Sequence, residues 1–345
     1  MSRKVLVVKL GTALISNAEG NIDANIIKKV ADEIAQLMKD YHIVLVSSGA
    51  VGSGKKFLNH YKGTLSERKA AAAVGNPILI QLYHQQFQRH GITVAQALCE
   101  RVHFSNRKQF LQLKQTFATF WENNILPVVN ENDLVSDVEL KFSDNDELAT
   151  LIAIGFDASS LILCTSAGGL LDNEGRVIPL IDKVDASVLQ YVKTEKSAAG
   201  LGGMISKLTF TRLAVSLGIN VVICGLKGER PLTAALEKKN GSYFVPKKKS
   251  NLHARQKWLA SGSVTLGAIH IDKGAAKALQ SRKSLLTVGI RQAEGKFITG
   301  EVVQLTDEEG VILGVAKTRL DAQTINRKLK ERNMIAAHAD DIVLF

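Results

Sequence analysis

The 345-residue chain has little of what would place it in a special class. No apolar run reaches the ~18 residues of a membrane-spanning helix. The early apolar run Val5–Val8 is too short for a secretory leader, and no small-residue cleavage site follows it. A cytoplasmic protein is therefore expected. There are only three cysteines, Cys99, Cys164 and Cys224, and their spacing makes neither a CxxC pair nor a disulfide framework. Each sits in or at the end of an apolar run, as a small buried hydrophobe would. The eight histidines form no cluster at metal-ligand spacing. No internal repeat and no low-complexity tract is present, and the composition excludes a collagen, a disordered tail and a coiled-coil rod.

What is present is ordinary globular material, 46% hydrophobic and 22% charged. At ~150 residues per domain, two domains are expected. The formal net charge of +11 favours anionic partners: nucleic acid, acidic lipid or phosphorylated small molecules. The densest basic run, Lys247–Lys249 after Pro246, reads as a solvated linker.

Up to about residue 230, β-branched runs alternate with helical patterns. Strands are expected at Val5–Lys9, Ile43–Ser47, Ile92–Ala97, Ile125–Asn130, Ser160–Cys164 and Asn220–Cys224. Helices are expected at Ile22–Lys39, Asn106–Trp121, Asn145–Ile154 and Met204–Leu217. A further helical pattern, Lys69–Arg89, should be kinked or divided by Gly75-Asn76-Pro77. Such alternation implies a mainly parallel sheet covered on both faces. Ligands of such sheets bind beyond the carboxyl ends of the strands. After about Ser261 the texture becomes glycine-punctuated and β-rich, with strands expected at Val264–His270, Leu285–Gly289, Gly300–Leu305 and Val311–Ala316. Helical stretches there are limited to Lys273–Ser281 and Ala322–Lys330.

Four loops carry the chemistry. Lys9-Leu10-Gly11-Thr12 ends a strand, where an ammonium and glycine N–H groups could meet an anion; a tight turn is the plainer reading. Ser47–Lys56 follows a strand and nearly spells a Walker A motif from Gly49 to Lys56. Its last position is lysine rather than serine or threonine, so a small-residue turn that admits a ligand close to the backbone fits better. Asn130-Glu131-Asn132-Asp133 and Ser143-Asp144-Asn145-Asp146 crowd acids and amides at two segment ends. They could cap a helix, bind an ammonium, hold Mg²⁺ or orient lysines. Gly200–Lys207 is a glycine loop opening a helix, suited to phosphates, with Lys207 one turn in. Together with Lys9 it suggests phosphoryl transfer.

In this order the four loops resemble the amino acid kinase family. The strings are VVKLGT (Val7–Thr12), VSSGAV (Val46–Val51), AAVGNP (Ala72–Pro77), PVVNENDLV (Pro127–Val135), FSDNDELA (Phe142–Ala149) and GLGGMISK (Gly200–Lys207). The carboxy-terminal module is similar to a PUA domain, through Lys257–Leu259, Ile271–Leu279 and Gly295–Val303. The resemblance covers nearly the whole chain. It implies a three-layer α/β/α kinase fold in residues 1–250 and a small β-rich PUA-like domain in residues 251–345.

The branch most similar phosphorylates the side-chain carboxylate of L-glutamate with ATP, opening proline biosynthesis. Carried over by resemblance, Lys9 and Lys207 would neutralise the phosphoryl group in flight, and Asp146 would organise them. Gly11 and Gly49 would offer N–H groups near the transferring phosphate. Ser48, Asp133 and Asn145 would hold glutamate. Thr165, Ser166 and the loop Leu201, Gly202, Gly203, Met204, Ile205, Ser206, Lys207 would hold ATP, with Mg²⁺ carried on the nucleotide. Three positions depart from the family: Ser166 stands where Asp is frequent, Leu201 where Thr is frequent, and Ile205-Ser206 where two small hydroxyl residues are usual. All three fall on the nucleotide side. The resemblance further implies proline as feedback inhibitor and a homo-oligomer. Two alternatives stay open: a kinase for aspartate, acetylglutamate, carbamate or UMP, and an RNA-binding PUA protein.

Overall fold

The last five residues of strand β1 (Lys4–Leu10) are all buried, and a run buried on both faces belongs inside a parallel sheet. The computed structural model describes residues 3–17, 19, 21–134, 144–184, 188, 191, 202–246, 267–329, 331 and 334–344. In it β1 lies between β2 (Tyr41–Ser47) and β5 (Ser160–Cys164), parallel to both. The other strands are β3 (Thr93–Cys99), β4 (Ile125–Glu131), β6 (Leu180–Ile181), β7 (Asn220–Cys224) and β8 (Ser242–Phe244). They form an eight-stranded sheet in the order β3-β4-β2-β1-β5-β7-β8-β6. Among the described residues, only the β7–β8 pairing of this sheet is antiparallel. Leu10 stands beside Ser47 and Cys164, and Cys164 beside Cys224, so these carboxyl ends reach one edge together.

Alternation along β1 decides what each face receives. Leu6, Val8 and Leu10 join the core packed by helices α2 (Ala24–Leu37) and α4 (Leu65–Gln88). Helix α1 (Thr12–Ile15) leads into that layer, and the five-residue α3 (Ala50–Gly54) lies against α4. Lys9 points to the opposite face, together with Val7. There lies α7 (Asn145–Gly155), nearly every residue of which is buried. Helices α5 (Val102–Ser105) and α6 (Arg107–Glu122) precede β4, and α8 (Gly202–Ser216) and α9 (Pro231–Leu236) flank β7.

Two details differ from the expected pattern or could not be read from it. Gly75-Asn76-Pro77 does not divide its helix: α4 is continuous over 24 residues with Pro77 inside it. Proline removes one hydrogen bond, to the carbonyl four residues back. The buried face of Ala71, Ala72, Leu79, Tyr83 and Phe87 holds the remainder in place. Gly75 lets α3 approach, since a Cβ there would fall 1.8 Å from the Ala50 carbonyl oxygen. Gly54 does the same from the other side, at 1.9 Å from the Ala71 carbonyl oxygen. The glycine that resembled part of a Walker loop is thus a helix-packing residue.

On α2, Glu33 is buried among apolar neighbours. Its carboxylate accepts the N–H groups of Leu232 and Thr233, at 3.1 and 2.6 Å. Pro231 opens α9 and has no N–H, so these are that helix's first free donors; its N-cap, Arg230, offers no side-chain acceptor. One turn earlier, the Lys29 ammonium donates to the carbonyls of Leu226 and Gly228. Glu33→Ala should therefore lower stability by about 2–3 kcal/mol, from two charge-assisted bonds lost in a buried place. A urea midpoint unchanged in Glu33→Ala would show the cap to be unimportant.

The chain divides into two compact units, one of Met1–Glu100, Leu113–Asp137 and Phe142–Lys249, the other of Arg101–Gln112, Val138–Lys141 and Ser250–Phe345. The second has its own core around Ile269, Val303, Leu305, Ala316 and Ile325. Its five-stranded sheet contains β9 (Gly267–Ile271), β11 (Ile290–Gly295), β12 (Val302–Thr306), β13 (Ile312–Lys317) and β15 (Ile342–Leu344). β10 (Leu285–Leu286) pairs with β14 (Ile335–Ala337), and the helices are α10 (Lys273–Gln280) and α11 (Ala322–Arg327). The strand expected at Leu285–Gly289 stops at Leu286. A 3₁₀ turn follows, where the fully buried Thr287 donates its hydroxyl to the Glu331 carbonyl at 2.7 Å. The basic run Lys247–Lys249, Lys257–Leu259 and the start of the strand expected at Val264 lie outside the described residues. Among the described residues, no helix is long and apolar enough to cross a membrane.

Candidate active site

Helix α7 begins at the carboxyl edge of the sheet because Asp144 caps it. That carboxylate accepts the N–H groups of Asp146 and Glu147 at 2.9 and 3.1 Å. Capping leaves the next two side chains, Asn145 and Asp146, to face the strand ends. Asp146 is 1% exposed and receives two cations. The Lys9 ammonium reaches one oxygen at 2.6 Å, and the Lys207 ammonium, from α8, reaches the other at 2.6 Å. Burial pushes the Asp146 carboxyl up, but Lys9 and then Lys207 outweigh it, and the carboxyl titrates below its ordinary range. Three chain segments separated by more than sixty residues each meet at one carboxylate.

Beside it lies a chain of amides. The Asn145 amide nitrogen donates to the Ser48 hydroxyl oxygen and to the Asn130 side-chain oxygen, both at 2.9 Å. The Asn130 amide nitrogen donates to the Asn76 side-chain oxygen at 3.1 Å. Asn130 also accepts the Glu131 N–H at 3.0 Å. With both its amide hydrogens committed, Asn145 keeps a buried oxygen that has no hydrogen-bond partner among the described residues. The Ser48 hydroxyl accepts from Asn145, so its own hydrogen remains to be donated. Ser48 is further held by its N–H, which donates to the Leu10 carbonyl at 3.1 Å.

The glycines supply room. Gly49 caps α3 with φ of +110°, a conformation that side chains avoid, and a Cβ there would fall 2.8 Å from Ile22 Cδ1. A Cβ on Gly11 would fall 3.7 Å from the Lys9 ammonium. Gly11 therefore stands directly beside that lysine, which is itself buried.

Of the residues expected from sequence, Lys9, Lys207 and Asp146 form one contact group, and Ser48 and Asn145 form another one residue away. Asp133 stands half-buried in the turn after β4. Thr165 and Ser166 follow β5, where the Thr165 N–H donates to the Cys224 carbonyl at 2.8 Å. No hydrogen bond or ion pair among the described residues joins Thr165 or Ser166 to the Lys9–Asp146–Lys207 group. Gly202 and Gly203 begin α8, and Met204 is half-buried one turn before Lys207. Leu201 lies outside the described residues, as do the side chains of Ile205 and Ser206. Asn76 escaped the sequence reading: between Gly75 and Pro77 it resembles part of a helix breaker.

The three cysteines are buried and unpaired. Burial, and then Glu100, pushes the Cys99 thiol up to about 12. Cys164 is also raised well above the ordinary thiol value, first by its hydrogen bond to Cys224 and then by burial. Neither is a nucleophile at neutral pH. Among the described residues no three His, Cys, Asp or Glu side chains are grouped to hold a metal.

The model of the amino acid kinase family matches residues 4–225, and that of the PUA domain matches residues 267–336. The glutamate 5-kinase of Kosmotoga olearia is 38% identical over 314 residues, covering 90% of this chain and 87% of that one. That of Aquifex aeolicus is 37% identical, covering 93% and 91%, and that of Haemophilus influenzae 32% identical, covering both chains completely. Among solved structures, a carbamate kinase from Giardia lamblia bound to AMP-PNP superposes with a TM-score of 0.53. It is 19% identical and covers 71% of this chain and 99% of its own, a likeness of fold.

Proposed function

The chain belongs to the amino acid kinase family and carries a PUA domain, and from this we propose that it transfers the γ-phosphoryl group of ATP to the side-chain carboxylate of L-glutamate. The product is L-glutamyl 5-phosphate, the first intermediate of proline biosynthesis. The observation that carries this reading is the meeting of Lys9 and Lys207 on Asp146, with Asn145 and Ser48 beside them. The names of relatives 32–38% identical choose glutamate among acceptors.

The nucleophile needs no base, since a glutamate carboxylate with a reference pKa of about 4.3 is ionised at neutral pH. The difficulty is bringing two anions together while charge spreads over the phosphoryl oxygens. Two ammonium groups held by one carboxylate answer it: Asp146 keeps them side by side against their mutual repulsion. Each can turn from Asp146 toward an equatorial oxygen without leaving the site. Gly11 and Gly49 let the phosphate close on the backbone, and the first turns of α3 and α8 hold N–H groups that have no partner within their own helix. Thr165, Ser166 and the loop Leu201–Lys207 hold ATP, and Mg²⁺ arrives on its phosphates.

The acceptor's orientation follows from the amide chain. The Ser48 hydroxyl donates to a carboxylate oxygen of glutamate, and the free Asn145 oxygen accepts from its ammonium. Asp133 supplies the matching negative charge. Asp133→Ala should accordingly raise the KM for glutamate about ten-fold or more, the worth of one charge-assisted bond, with the KM for ATP little changed. An unchanged glutamate KM would move ammonium binding elsewhere. Proline shares glutamate's carbon skeleton in cyclised form and competes for this same site. The protein acts in the cytoplasm as a homo-oligomer.

The direct test incubates the protein with L-glutamate, ATP, Mg²⁺ and hydroxylamine, and traps the acyl phosphate as γ-glutamyl hydroxamate. Aspartate, acetylglutamate, carbamate and UMP serve as competing acceptors. ADP release with one of these and none with glutamate would reassign the substrate. RNA contact by the PUA domain is a second activity under the same reading, tested by salt-dependent retention of RNA on the full chain.

A further inference from the structure

The acceptor side of the site rests on one helix that never reaches it. Helix α4 carries two adjacent residues with different tasks. Gly75 seats α3, whose amino-terminal end at Gly49 borders the site. Asn76, 8% exposed, takes the Asn130 amide through its side-chain oxygen at 3.1 Å. A third residue of α4, Tyr83, is fully buried with its hydroxyl 2.7 Å from the Ser47 hydroxyl.

We propose that Asn76 is a positioning residue for the amino-acid acceptor, acting through Asn130 on the Asn145 amide and the Ser48 hydroxyl. This rests on the acceptor reading given above. The reason is the parity of donors and acceptors along the chain. Asn130 is 6% exposed, and its oxygen faces two donors, Asn145 Nδ2 and the Glu131 N–H. Its amide nitrogen must then face an acceptor, and Asn76 provides it. Reversing the Asn130 amide would set its NH₂ group against both of those donors. The orientation set at Asn76 thus passes down the relay: it holds the Asn145 NH₂ group toward Ser48 and leaves the Asn145 oxygen unpartnered. Without an acceptor at position 76, a buried amide donor is left unpaired. Asn130 then turns to recover a partner, and Asn145 loses its brace.

The test compares Asn76→Leu, which keeps volume but no acceptor, with Asn76→Asp, which keeps the acceptor. Asn76→Leu should raise the KM for glutamate about ten-fold, the scale of one hydrogen bond, with the KM for ATP within two-fold of the parent. Asn76→Asp should stay within about three-fold on both. A general loosening of the fold would move both KM values together and would not be rescued by Asp. A crystal structure of Asn76→Leu supplies a readout independent of activity: the contact between Asn145 and Ser48, 2.9 Å in the parent, should be broken or displaced. If that contact persists, or if it breaks and the glutamate KM stays at the parent value, the proposal fails. A parent protein that forms no hydroxamate would overturn the glutamate assignment, and the crystallographic contact alone would then decide the role of Asn76. Should Asn76→Leu not fold, Asn76→Ala carries the same comparisons.

Discussion

Lys207→Ala is expected to reduce turnover on the order of 100-fold, equivalent to about 3 kcal/mol, while the protein remains folded. Lys207 stands on α8 and touches Asp146 from the more open side, its side chain 13% exposed against 6% for Lys9. Its removal leaves Asp146 with the Lys9 ammonium, so no buried charge is abandoned. What disappears is one of two cations that follow charge onto the phosphoryl oxygens. The loss should therefore appear in kcat, with a smaller change in the KM for glutamate. Lys207→Arg should recover little, because a planar guanidinium prefers to grip a carboxylate bidentately and will stay on Asp146. The measurement is hydroxamate formation beside a urea unfolding curve. A near-normal rate in Lys207→Ala, with the unfolding midpoint intact, would remove this lysine from the catalytic group.

How much of this arrangement shows in the residues differs from one position to the next. Lys9 is visible as the polar member of an apolar run followed by glycine. The strands at Ser160–Cys164 and Asn220–Cys224 are visible because buried parallel strands are apolar throughout. Asp146 shows as one of several acids at a helix start, and spacing cannot say which acid caps and which faces the strands. Backbone geometry decides it: Asp144 turns back on the helix N–H groups, and Asp146 projects to the face that period-two alternation assigns to Lys9. Glu33 is hidden for a different reason. It lies within an amphipathic helix where a charged residue ordinarily faces water, and its partners stand 199 and 200 residues away. Asn76 and Gly54 are hidden by their neighbours, which suggest a helix break and a phosphate loop. The close approach of α3 and α4 explains Gly75 and Gly54, the bond from Asn130 explains Asn76, and only tertiary structure reveals either.

Asp146→Ala should be the most damaging single change in the molecule, because it strands two ammonium groups in a place with almost no water. Breaking a buried pair by removing one partner costs about 3–5 kcal/mol, and here a single carboxylate serves two partners. The volume-conserving Asp146→Asn tests the same charge with less disturbance to packing and should fall toward the lower end of that range. The pH dependence separates charge from packing. The Asp146 carboxyl titrates below its ordinary range in the folded protein, so over the acid range the unfolded chain binds more protons than the folded one. Stability from this group is therefore complete above the unfolded value of about 3.9, and drains away as pH falls through the lower folded value. The gap in unfolding free energy between the parent and Asp146→Asn should accordingly be widest near pH 7 and narrow steadily below about pH 4, as the parent's carboxylate takes up its proton. Urea unfolding of both proteins at a series of pH values reads it directly. A gap of constant size across that range would mean that Asp146 contributes shape rather than charge, and the two lysines would need another explanation for sharing one buried site.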